Sequence, residues 1–143
     1  MSIAARLRAL LLLALVGASL AACGAGTLHS EKERESAPAL TAQELYRAYR
    51  KDEAAADALY KGRLLKVSGV ADYSGTDLIL EAPEVILTGG GKDASRGVDC
   101  VFDPRYEDKV AKVAKGDALT VLGRCEGFYK INVLLRDCEP LAE

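Results

Sequence analysis

The chain has 143 residues, half of them hydrophobic, with 19 basic and 21 acidic side chains, one histidine and four cysteines. A formal charge of −2 provides no basic footprint and argues against nucleic acid or any other polyanion as the partner. The apolar content suits one compact domain, and no second hydrophobic block is present to build another.

The N-terminus has the layout of an export signal. Arg6 and Arg8 precede an apolar run, Ala9 to Leu20, that is well short of the ~20 residues needed to span a bilayer. The run ends in Leu20-Ala21-Ala22-Cys23, which resembles a bacterial lipobox. That pattern predicts a signal peptide over residues 1–22, removed to leave Cys23 lipidated and palmitate-bearing at the new N-terminus. Several acyl chains together anchor stably, at ~0.8 kcal/mol per buried methylene. Gly24, where aspartate would favour inner-membrane retention, points to the periplasmic face of the outer membrane in the bacterial cell envelope. Residues 1–22 hold two arginines and no acid, so the mature chain keeps 17 basic and 21 acidic side chains, a formal charge of −4.

Residues 23–39 contain few large apolar groups and the charge run Glu31-Lys32-Glu33-Arg34-Glu35, a composition that predicts a lipidated N-terminus with a flexible tether. His29 falls in this stretch and is expected to be solvated.

The folded domain is expected over residues 40–141. Thr41-Ala42-Gln43-Glu44 is a capping box, and Leu45, Ala48 and Tyr49 then recur at helical spacing. A second helix is predicted from Glu53 to Tyr60, closed by Gly62, and Tyr46, Tyr49 and Tyr60 read as packing residues with wet hydroxyls. From Arg63 the period changes to two, which predicts a strand, a turn at Tyr73-Ser74-Gly75-Thr76 and a return strand from Asp77 to Glu81, with Glu84 to Leu87 as its candidate extension. Further strands are expected over Gly97–Phe102, Ala118–Cys125 and Ile131–Asp137, with a helix over Pro104–Lys115 between the first two. A mainly β chain with an N-terminal helix, five strands and a helix between strands 3 and 4 has the order of an OB-fold, a Greek-key barrel. Gly69 and Gly123 suit its sharp bends.

Particular runs also resemble a family. Leu45-Tyr46-Arg47-Ala48-Tyr49, Tyr60-Lys61-Gly62, Val98-Asp99-Cys100-Val101-Phe102, Gly123-Arg124-Cys125-Glu126-Gly127 and Asp137-Cys138 are similar to the bacterial tRNA-anticodon-like (tRNA_anti-like) OB-fold lipoproteins, over residues 40 to 141. Asp52 stands where those proteins often carry asparagine, and either residue can cap a turn. The resemblance implies an OB barrel and no particular ligand.

Candidate sites follow from the barrel order. Tyr73 at the first turn and the tip Phe128-Tyr129-Lys130 are candidate ligand contacts, against the alternative that the tip packs on its own barrel. Phe102 is expected to fill the core. Once Cys23 is lipidated, Cys100, Cys125 and Cys138 allow three pairings. A Cys100–Cys138 disulfide is preferred, on neighbouring parallel strands, if a bulge near Asp137 corrects the alternation; three buried thiols are the alternative. No ligand set suggests a metal or another cofactor, and no nucleophile–base pair can be assembled. Gly89-Gly90-Gly91-Lys92 lacks the spacing of a phosphate loop. The expectation is a membrane-anchored, non-catalytic binding module for an envelope protein, peptide or glycan. The alternative is an OB-fold protein that binds single-stranded nucleic acid or an oligosaccharide.

Overall fold

The computed structural model describes residues 27–91 and 96–142. The export segment and Cys23 lie outside them. Two capping boxes set the first helices. In α1 (Glu31–Ser36) the Ser30 side chain accepts from Glu33 N at 3.3 Å while the Glu33 carboxylate accepts from Ser30 N at 3.1 Å. A three-residue strand, β1 (Ala39–Thr41), leads into α2 (Ala42–Lys51), where Thr41 and Glu44 repeat the exchange. Such a cap contributes about 1 kcal/mol. Helix α2 buries Ala42, Leu45 and Tyr49 and exposes Arg47, Arg50 and Lys51. Asp52 then accepts from Ala55 N at 2.9 Å to start α3 (Glu53–Tyr60), and Gly62, at φ +77°, turns the chain into the barrel.

Five strands close the barrel: β2 (Leu64–Asp77), β3 (Ala82–Thr88), β4 (Val98–Phe102), β5 (Ala118–Tyr129) and β6 (Asn132–Pro140). They run in the order β2-β3-β4-β6-β5, and β2 pairs back with β5. Strands β4 and β6 are parallel, and β1 adds to β2 alongside Lys66–Ser68. This is the expected OB-type barrel. Alternate residues of every strand point inward, so Leu65, Val67, Val85, Val98, Val121 and Phe102 form one core, with α2 across one end. Gly69 permits that close approach: a Cβ there would lie 2.9 Å from the Thr88 carbonyl and 3.1 Å from Ala42 Cβ.

Four local expectations are corrected. The first hairpin turns at residues 78–81 rather than at Tyr73–Thr76, because β2 continues through a bulge between Ala71 and Tyr73 and the Asp77 carboxylate organises the turn. The helix expected over Pro104–Lys115 is a 3₁₀ turn (Pro104–Tyr106) followed by a short α4 (Glu107–Val110). The Tyr49 hydroxyl is buried, 3.4 Å from Cys125 Sγ, so it is not wet. The fourth correction concerns the expected tether. From Thr27 onward the segment is structured against the barrel: His29 is only 4% exposed and its Nε2 donates to the Asp137 carbonyl at 2.9 Å. Arg34 pairs with the buried Glu139, and Glu33 meets Arg124 at 3.2 Å. These partners come from distant strands, so local composition gave no sign of them.

Candidate binding face at the loop end of the barrel

Two tight turns meet at one end of the barrel. In the β2–β3 turn, Asp77 Oδ1 accepts from Ile79 N at 2.8 Å and Leu80 N at 2.7 Å, and Glu81 takes φ +50°. With the backbone satisfied by one carboxylate, the side chains of Leu78, Ile79 and Leu80 are left in solvent, Leu78 at 89% exposure. The β5–β6 turn holds Lys130 at φ +55° between exposed Tyr129 and Ile131. The Lys130 charge acts on Asp77, Glu84 and Asp99, which places it beside the first turn and the face below it. The result is a crown of large apolar side chains around the Lys130 ammonium group.

Strand register builds the floor beneath. Tyr73 lies opposite Ile86, Ile86 opposite Asp99, and Asp99 opposite Leu134, so one outward row crosses β2, β3, β4 and β6. Glu84 lies two residues before Ile86 on the same face, opposite Gly75. Burial pushes the Glu84 carboxyl up to about 7, and the charges of Asp99 and Asp77 and a hydrogen bond with Asp77 push the same way. Burial also pushes Asp99 up to about 6, with the Asp77 charge adding. Asp77 is held below the usual carboxylate range, chiefly by the Leu80 N–H. Asp99 Oδ1 is buried without a hydrogen-bond partner. The floor is therefore acidic, with one lysine at its edge among the described residues.

The structure brings three of the four predicted contact residues to this region. Tyr73 is exposed on the outward row, and Lys130 Nζ stands 4.9 Å from the Tyr129 ring centroid. Phe128 points elsewhere: it packs on Tyr46 and Tyr49, with ring centroids 6.1 Å and 6.2 Å away. Leu78, Ile79, Leu80, Ile131, Glu84 and Asp99 were not singled out from the sequence. Asp77 followed by three aliphatic residues was the available signal, since an Asx turn exposes whatever follows the aspartate.

The remaining candidates lie in the core. Cys100, Cys125 and Cys138 are buried free thiols. Burial pushes the Cys100 and Cys125 thiols up, away from the thiolate that nucleophilic chemistry requires. No group of described residues could hold a metal ion, and no described helix is long and apolar enough to cross a membrane. The face offers apolar contact, carboxylate acceptors and one ammonium donor. Such a surface can hold an apolar segment that carries a cation, and it repels phosphate.

Comparisons with known proteins agree with this fold. Among solved structures, the chain is similar to a proposed nucleic acid-binding lipoprotein from Klebsiella pneumoniae, with a TM-score of 0.59 and 16% identity over 80% of this chain and 99% of that one. It also aligns with OBody AM3L09 bound to hen egg-white lysozyme, at a TM-score of 0.43 and 12% identity over 58% of this chain and 85% of that one. No curated protein sequence matches it. The tRNA_anti-like family profile matches residues 1–139, nearly the whole sequence, and the chain belongs to the tRNA_anti-like family.

Proposed function

We propose that this chain is a lipid-anchored protein of the bacterial cell envelope whose barrel binds a protein partner without catalysis. The acidic, apolar-crowned face carries the reading of the partner. Leu78, Ile79 and Ile131 offer apolar area to a partner, while Glu84 and Asp99 lie under a surface where, among the described residues, Lys130 offsets them. A peptide segment with aliphatic side chains beside a lysine or arginine complements both features. The anchor rests on the Leu20-Ala21-Ala22-Cys23 run, and the similar Klebsiella lipoprotein supports it. The outer-membrane placement rests on Gly24.

Fluorescent apolar peptides that differ only in lysine versus glutamate test the face. The lysine peptides are expected to bind and to lose binding in a Leu78→Ser/Ile79→Ser variant. Equal binding of both peptide sets would refute charge complementarity, and selective binding of glycans would replace the peptide reading. The anchor has its own test: Cys23→Ser should release the protein from membranes, and continued fractionation with them would sink the lipid anchor.

One observation favours a second reading, single-strand nucleic-acid binding: the proposed role of the similar Klebsiella protein. Phosphates would meet the carboxylates of this face, so titration with labelled oligonucleotides at low salt is expected to give no salt-sensitive binding.

A further inference from the structure

Two of the buried cysteines face the same stretch of the core, on the paired strands β4 and β6. Cys100 on β4 is aligned with Leu135 on β6, and two residues later Phe102 is aligned with Cys138, so the register slips between them. The slip is a bulge at Asp137, which takes φ +51° and turns the next side chain inward. Cys138 consequently joins Cys100 in the interior, both fully buried, although simple alternation from Leu135 would have put it outside. The Cys138 thiol adds to the upward push that burial exerts on the Cys100 thiol, as a near neighbour does. Room for the sulfur comes from Gly123 on β5, where a Cβ would lie 2.6 Å from Cys138 Sγ. Cys125 is occupied otherwise, by the Tyr49 hydroxyl, and Leu135 lies between it and Cys100 in the strand register.

We propose that Cys100 and Cys138 are the site of a structural disulfide, formed during folding, with Cys125 left as a free thiol. The Sγ–Sγ bond forms as the S–S bond of an oxidant breaks: the two protons and two electrons of the thiols pass to oxidised glutathione, which leaves as two glutathione thiols, or to an exchange protein, which leaves as its dithiol. The bridge would tie β4 to β6, which are not sequential, and so close a long loop that includes α4 and β5. In the living cell it rests on the exported placement proposed above, because a reducing cytosol would keep both thiols free.

The test uses the full chain carrying Cys23→Ser, refolded with oxidised and reduced glutathione and then labelled with a maleimide in denaturant. Before reduction only Cys125 should label; after reduction Cys100 and Cys138 should label as well. Peptide mapping should join the segments that hold Cys100 and Cys138, and reduction should lower Tm by on the order of 10 °C. Cys125→Ser should keep the bridge. Three labelled thiols after oxidative refolding, or a bridge that includes Cys125, would overturn the proposal. A parallel sample of the native chain recovered from envelopes separates the two readings. A bridge that forms in vitro but is missing there counts against export and leaves the pair intact.

Discussion

The docked N-terminal arm and the crown treat their charges differently. Near the N-terminal arm, charged groups have partners of opposite sign: Glu139 is buried against Arg34 and the Tyr106 hydroxyl, and Glu33 faces Arg124. At the crown, Glu84 and Asp99 lie near Asp77 with, among the described residues, Lys130 to offset them, and Leu78 and Ile79 stand in water. The first arrangement completes a fold. The second keeps surface and charge uncompensated within the chain, as a binding face requires. The lesson is that stability and the proposed recognition rest on different residues of a small barrel, so substitutions can separate them.

The largest effect is expected at the arm. Arg34→Ala leaves the Glu139 carboxylate buried with only the Tyr106 hydroxyl as a side-chain partner, and should cost about 2–3 kcal/mol, less than a fully buried pair because Arg34 is partly exposed. Urea unfolding measures it; a change under ~0.5 kcal/mol would show that the arm is not part of the cooperative fold.

A second effect, on the pH dependence of stability, belongs to the acidic floor. The fold raises Glu84 from 4.5 to about 7 and Asp99 from 3.8 to about 6, which favours their neutral forms. Their contribution is complete below the unfolded values and is lost as pH rises through the folded ones. The urea midpoint should therefore fall between about pH 5 and pH 8. Asp77, which is lowered, pulls the other way only in the acid range below its ordinary value. Glu84→Gln should flatten the profile, and an unchanged slope would remove the floor from consideration. The smallest stability effect is expected at the crown, where Leu78→Ser/Ile79→Ser should leave unfolding within ~0.5 kcal/mol of wild type while abolishing peptide binding. A large loss of stability would mean that those side chains pack within the chain.

Local rules made much of the fold legible. The Thr41 capping box, the Asp52 cap, the period-two strands and the helix between strands 3 and 4 each depend on neighbours in sequence. A bulge near Asp137 was the condition for Cys100 and Cys138 both to face inward, and the chain has it. The arm was missed since His29 and Arg34 find partners 108 and 105 residues away. For the same reason the acidic floor was invisible: Glu84 and Asp99 become neighbours only through the pairing of β3 with β4. Register, which sequence periodicity leaves free to slide, decides which surface charges meet.

The docked arm also has a consequence for posture. It grips β6 at Asp137 and Glu139 and β5 at Arg124, five or more residues along those strands from the crown turn, or roughly 16 Å or more at ~3.3 Å per residue. Only residues 24–26 separate Cys23 from the first described residue, a reach of about 14 Å at full extension. A lipid on Cys23 would thus hold the β5–β6 side of the barrel, where the arm docks, close to the bilayer.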